Sequence, residues 1–228
     1  MNAQNRTNKR PNNLRCARDL SFEKLKVMDG ADISRHAGVS LREEGVGTKL
    51  IQLDYLGKHL SIAISDMTVT WEPDDWAERG GAIRLSEEIF ILHYLEHASG
   101  ILPTGNLIPF HRMNGGMAYN SVFKARSVGR LLNAFRDRED ILLDIGSIFG
   151  GTSCDLGNVS LRLRVLPHVE IVLVFWKGDN EIPPSGNIFF DESVLGYLST
   201  EDCVVMAETV ANRILCVFNQ KYKDINRI

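Results

Sequence analysis

The sequence predicts an α+β protein: antiparallel hairpins with a buried central strand, packed against helices that include a long C-terminal helix. Strand-like runs come in pairs joined by short turns, 50–56 with 59–64 and 159–166 with 170–176. Helical runs fall in blocks rather than alternating strictly with strands, which disfavours a doubly wound sheet. Near the C-terminus, Val204, Val205, Ala207, Val210, Ile214, Leu215 and Val217 form an apolar stripe at helical spacing.

Residues 1–18 carry Arg6, Lys9, Arg10, Arg15 and Arg18 with no acid. Their low apolar content reads as a disordered basic arm ahead of one α+β domain over 19–228. Residues 19–37 read as a broken helix with Gly30 and Gly38 as stops. Gly57-Lys58 reads as the turn of the first hairpin, and 67–71 adds a third strand. Pro73 to Gly81 reads as a polar loop. Leu85 to Ser99 is helical and ends at Gly100. Pro103 to Phe110 is extended. Gly115-Gly116 opens a helix over about 118–138, and a shorter one over 139–149 closes at Gly150-Gly151.

In 159–166, Leu161, Leu163 and Val165 alternate with Ser160, Arg162 and Arg164, as in a half-exposed strand. Pro167-His168 turns the chain into 170–176, whose continuous apolar run marks the central strand. Pro183-Pro184 breaks the chain, and 187–190 is a short strand or loop. Ser199 and Asp202 form a capping box for the helix over 200–221.

The 228 residues are 44% apolar and 24% charged, ordinary for a globular chain. Net charge is −3, and no aromatic interleaves with the basic arm, which argues against a nucleic-acid partner. No apolar run reaches the ~20 residues of a membrane helix. Cys16, Cys154, Cys203 and Cys216 show neither C-x-x-C spacing nor a disulfide framework, which points to a reducing, cytoplasmic compartment.

Three stretches carry candidate chemistry. His93-Tyr94-Leu95-Glu96-His97 spells H-x-x-E-H, which on a helix sets two imidazoles on one face with a glutamate beside them. A metal-dependent hydrolase would use His93 and His97 as ligands, with Glu96 as general base and Glu170 as a conceivable third ligand. The helix is otherwise apolar round most of its girth, so this narrow polar strip faces either a cavity or solvent. Gly115-Gly116 could present backbone N–H groups to an anion with Arg112 and Arg126 nearby, or could be a tight turn that needs positive φ. The stretch from Trp176 to Ser185 either lines a pocket or anchors Trp176 in the core.

An ordered set of residues resembles the domain of unknown function 3786 family. It runs from Leu92-His93-Tyr94-Leu95 through Pro103-Thr104-Gly105, Phe110-His111-Arg112, Gly115-Gly116, Tyr119, Phe123 and Arg126. It continues with Phe175-Trp176, Gly178-Asp179, Pro183-Pro184-Ser185, Phe190-Asp191 and Tyr197-Leu198, then Thr200-Glu201-Asp202. The resemblance spans roughly residues 20 to 218 and implies an anaerobic setting linked to corrinoid and one-carbon metabolism. It implies a non-catalytic accessory protein that handles a corrinoid, tetrapyrrole or other anionic cofactor. A protein partner from corrinoid or iron–sulfur metabolism would go with it. The ligand-binding residues so implied are Arg112, Tyr119, Arg126, Trp176 and Asp191, with His93 as axial ligand to a tetrapyrrole or corrinoid; the alternative for Tyr119, Arg126, Trp176 and Asp191 is a structural role, as a buried Tyr hydroxyl bonded to backbone or an Arg–Asp pair. The alternatives are the metal-dependent hydrolase and a protein-interaction module that uses the basic arm.

Overall fold

In a computed structural model, residues 9–43, 48–72, 81–135 and 138–222 are described. The chain begins with α1 (Lys9–Val27) and α2 (Gly30–Ala37). Sheet A follows as a meander of β1 (Ser40–Glu43), β2 (Lys49–Tyr55), β3 (Lys58–Ala63) and β4 (Thr68–Trp71). Then come α3 (Leu85–Glu96), β5 (Leu107–Pro109), a 3₁₀ turn at Phe110–Arg112, α4 (Gly116–Arg126), α5 (Val128–Phe135) and α6 (Glu139–Ile148). The chain continues through β6 (Thr152–Ser153), β7 (Val159–Leu166), β8 (Val169–Trp176) and β9 (Ser185–Asp191). It ends in a 3₁₀ turn at Glu192–Gly196 and α7 (Thr200–Lys221). Sheet B has the order β5-β9-β8-β7-β6, antiparallel throughout.

The α+β reading holds, with β8 at the middle of its sheet and Ile171, Val172, Leu173 and Val174 fully buried. In sheet A the period of two sorts the faces. Ile51 and Leu53 pair with Ile62 and Leu60 on the buried side, while Gln52 and Asp54 pair with Ser61 and His59 on the polar side.

Several boundaries differ from expectation for local reasons. Residues 9–18, read as disordered, form the first half of α1. Burial of Phe22 and Leu25, with ion pairing of Arg18 to Glu88 on α3, fixes the helix farther on, and extending a formed helix is cheap. Residues 1–8 of the arm lie outside the described residues. Gly30 opens α2 rather than stopping a helix, because Asp29 caps it by accepting from the Asp32 amide (3.0 Å). Gly38 does stop α2, with φ of 63°.

The first hairpin turns one residue early, at Leu56-Gly57, where φ is 51° and 69°. Two positive φ values suit a two-residue hairpin loop. An added Cβ on Gly57 would also meet the Phe149 carbonyl at 3.0 Å. The expected helix over 118–138 is two helices. Ser127, fully buried, bonds the Phe123 carbonyl with its hydroxyl (2.6 Å) and takes a non-helical backbone between α4 and α5. β1 had no counterpart in the sequence reading, and α3 ends at Glu96 rather than Ser99. Residues 73–80 of the expected polar loop lie outside the described residues.

One polar knot joins the layers. Glu87, buried on α3, accepts from the Tyr55 hydroxyl of β2 (2.8 Å) and from Arg213 Nε of α7 (2.7 Å). Its other oxygen accepts from the Arg84 amide (3.0 Å), closing the first turn of α3. Arg213 also lies over the rings of Tyr55 and Trp71, at 5.8 and 5.2 Å. Burial, then the Glu87 charge, push the Tyr55 hydroxyl well above its ordinary pKa, so it stays a donor.

Lys49 holds a second joint. Its Nζ donates to the carbonyls of Lys26 (3.1 Å) and Met28, bonding the last carbonyls of α1 from β2. Between the sheets, the Leu56 amide donates to the Val165 carbonyl (3.0 Å).

Replacing Arg213 by Ala is expected to destabilise the protein by about 3–5 kcal/mol, since it strands the buried Glu87 carboxylate. Urea unfolding followed by circular dichroism measures this. A loss within about 0.5 kcal/mol of a typical surface substitution would refute it.

Candidate functional site

A groove of about 580 Å³ runs between α4 and the N-terminal half of α7. Its floor is apolar, from Phe110, Ala118, Val204 and Val205. One end is polar: Arg126 donates to the Tyr119 hydroxyl (3.1 Å) and lies 3.4 Å from Glu208. Tyr119 and Arg126 are two turns apart on α4, close enough for the long arginine to reach back to the phenol.

The approach of α4 to this position depends on two glycines. Gly115 has φ of 73°, and an added Cβ on Gly116 would lie 2.1 Å from the Phe110 carbonyl oxygen. The Gly116 amide donates to the Met113 carbonyl (2.9 Å), so the tight-turn reading of this pair holds. Phe110 and Phe123 stack at 4.1 Å between ring centroids, seating α4 on β9 through Phe190. On α7, Thr200, Glu201, Val204, Val205 and Glu208 share one face, while Asp202 falls about 130° away from its centre. The other face of α7 therefore builds the core and the contacts to α3.

Tyr119 and Arg126 come together, and the other expected site residues do not join them. Arg112 sits exposed in the 3₁₀ turn and does not line the groove. Trp176 lines a separate pocket of about 140 Å³ with Leu132, Phe135 and Leu142. It pairs with Ser185 at the start of β9, whereas Asp191 ends that strand six residues on. The two are thus about 20 Å apart along the ladder.

Asp191 is buried and fully engaged. It accepts from the amides of Thr104 (3.0 Å), Gly105 (2.6 Å) and Ser193 (3.0 Å) and from the Thr104 hydroxyl (3.3 Å). Burial works to raise its pKa, and these bonds outweigh it and hold the carboxyl below the ordinary range. It ties the loop before β5 to the end of β9.

The H-x-x-E-H strip faces neighbouring helices. His93 Nδ1 lies 2.9 Å from Asp202 Oδ1, whose other oxygen accepts from the Ser199 hydroxyl (2.7 Å) and amide (3.2 Å) in the capping box of α7. The hydrogen bond to Asp202 raises the pKa of His93. Glu96 pairs with Lys24 of α1 and lies 3.4 Å from His97 Nε2. Glu170 is taken up by Arg162 (3.3 Å) and Arg164 (3.1 Å) on sheet B. Among the described residues, no group of three His, Cys, Asp or Glu could hold a metal ion.

The sequence reading left out Glu208, Val204 and Val205 as site residues. Val204 and Val205 were legible only as part of an apolar helical stripe, and Glu208 carried no local signal. Asp202 was legible as a cap and within the resemblance, but not as the partner of His93. A larger depression, about 770 Å³, lies on the polar side of sheet A with Asp54, His59, Glu72, Arg164 and His168. Four of these groups are already matched: Asp54 with His59 (2.7 Å), Glu72 with Gln52 (3.0 Å) and Ser61, and Arg164 with Glu170. No helix among the described residues is long and apolar enough to cross a membrane.

Two expectations separate folding from the groove. Tyr119→Phe and Arg126→Ala, both at exposed side chains, are expected to change stability by less than about 0.5 kcal/mol in urea unfolding. Asp191→Ala, by contrast, is expected to cost about 1–3 kcal/mol by leaving buried amides unpaired. Because the Asp191 pKa is lowered on folding, its charge-linked stability is present above the unfolded value of about 3.9 and lost as pH falls through the lower folded value. Wild type is therefore expected to lose stability below about pH 4 more steeply than Asp191→Asn, measured by unfolding across pH 2–6.

A family model described as a domain of unknown function, DUF3786, matches residues 29–213. No curated protein and no solved structure matches the chain. The matched span runs from the cap of α2 to Arg213 in the buried knot, with both walls of the groove inside it, and the chain belongs to the DUF3786 family.

Proposed function

We propose that the protein is a non-catalytic binding or accessory protein whose ligand occupies the groove between α4 and α7. The observation that carries this reading is the convergence of Tyr119 and Arg126 at one end of an apolar trough. A volume near 580 Å³ falls in the range of about 300–1,000 Å³ typical of small-molecule sites. The lining favours a ligand with an apolar body and one anionic end. Arg126 is exposed and its contact to Glu208 is long, so an incoming carboxylate can take the guanidinium. Glu201 and Glu208 on the same wall oppose a ligand with several negative charges, such as a polyphosphate.

A corrinoid or tetrapyrrole with a carboxylate edge fits this chemistry, in keeping with cofactor handling in anaerobic one-carbon metabolism and a protein partner from that metabolism. His93 does not line the groove, so axial ligation by it forms no part of this reading.

The test is titration with 8-anilinonaphthalene-1-sulfonate, which has an apolar body and one anionic end. Saturable one-to-one fluorescence enhancement is expected, weakened about tenfold, or about 1.4 kcal/mol, in Arg126→Ala and in Val205→Glu. Displacement by protoporphyrin IX or cobyrinic acid would identify the tetrapyrrole or corrinoid class, and displacement by decanoate alone a simple carboxylate. Non-saturable binding, or binding unchanged in both variants, would sink the proposal.

A further inference from the structure

We infer that His93 and His97 form a two-imidazole site for a divalent transition-metal ion at the C-terminal end of α3, separate from the groove. The two rings stand one helical turn apart with centroids 5.7 Å from each other. An ion bound tetrahedrally at about 2.0–2.1 Å from a nitrogen of each ring sets the centroids about 5.2 Å apart, within a small side-chain rotation of that value.

Each imidazole has a carboxylate on one nitrogen. His93 Nδ1 is bonded to Asp202 (2.9 Å), and His97 Nε2 faces Glu96 at 3.4 Å in a looser contact. Donation of one ring N–H to a carboxylate leaves the lone pair on the other nitrogen, the arrangement that orients metal-bound histidines. The nitrogens so left are His93 Nε2 and His97 Nδ1. Neither has a protein hydrogen-bond partner among the described residues, and His93 Nε2 is not among their buried unpartnered atoms.

Glu96 Oε2 supplies an independent sign. It is buried without a hydrogen-bond partner on a carboxylate whose side chain is only 7% exposed, and the other oxygen of that carboxylate, Oε1, is the one that meets Lys24 and faces His97 Nε2. An orphaned anionic oxygen there is costly, and a cation on the adjacent imidazoles offsets it. The Lys24 ammonium on the other Glu96 oxygen opposes the ion and limits its affinity.

No third His, Cys, Asp or Glu completes a three-residue set among the described residues, so water fills the remaining positions. Imidazole donors select Zn²⁺, Co²⁺, Ni²⁺ or Cu²⁺ over Mg²⁺ or Ca²⁺.

Untagged, metal-free protein titrated with Co²⁺, and followed by visible absorption and equilibrium dialysis, tests the site. One ion per chain is expected, with affinity at least tenfold weaker in His97→Ala, whose exposed ring leaves the thermal melt unchanged. Asp202→Asn, which keeps the side-chain shape of the cap, is expected to weaken binding by about 10–100-fold. His59→Ala, which removes the exposed histidine paired with Asp54, is expected to leave binding intact. Absence of saturable binding, binding unchanged in His97→Ala, or loss in His59→Ala with retention in His97→Ala would each overturn the inference.

Discussion

The buried carboxylate of Glu87 is the constraint on which the rest of the structure depends. A lone ionised carboxylate in an apolar interior is prohibitively costly, so its partners have no freedom to wander. The Tyr55 hydroxyl fixes the end of β2, Arg213 fixes the middle of α7, and the Arg84 amide fixes the start of α3. Three elements from distant parts of the sequence are thus locked in register at one point. Around it, Phe90, Ile91, Leu92 and Leu95 of α3 are fully buried, which gives the knot its low dielectric and raises the energetic stake in keeping it complete.

With α7 fixed by Arg213 on one face, its other face is available to form a wall of the groove. Val204, Val205 and Glu208 stand opposite Ala118, Tyr119 and Arg126 because α4 enters at the angle that Gly115 and Gly116 allow. The phenylalanine stack of Phe110 and Phe123 then holds α4 on sheet B. Asp191 acts at the same end of sheet B, gathering three amides of two loops around one carboxylate. It contributes order near the groove without lining it. These carboxylates divide accordingly: Glu87 and Asp191 are buried and hold backbone and side chains in place, whereas Glu208 is part-exposed and makes one long contact to Arg126.

The α3 strip illustrates how one motif divides between roles. His93 and Glu96 are each bound to a neighbouring helix, α7 through Asp202 and α1 through Lys24. These contacts place α3 between its neighbours and orient both rings. They leave one nitrogen of each imidazole without a protein hydrogen-bond partner among the described residues.

Periodicity and capping chemistry by themselves determined the class of the fold, the buried central strand and the long last helix. The alternation of Leu161, Leu163 and Val165, the apolar run ending at Trp176 and the Ser199–Asp202 box are local signals that tertiary context did not oppose. The resemblance placed Tyr119 and Arg126 together in a candidate site, and helical spacing agrees, since two turns lie within the reach of an arginine. Breaks were less legible. The stop at Ser127 depends on a hydroxyl bonding back to Phe123 once both are buried, and the start at Gly30 on a cap from Asp29. Only the tertiary structure separated Trp176 and Asp191 from the groove, because that separation follows from strand register, which residue type does not encode. Only it brought Glu208 to Arg126, Asp202 to His93 and Arg213 to Glu87, pairs separated by 82, 109 and 126 residues. Such pairs form when helix packing brings opposite charges into contact, with water expelled only at the buried Arg213–Glu87 pair, and no spacing along the chain records that event.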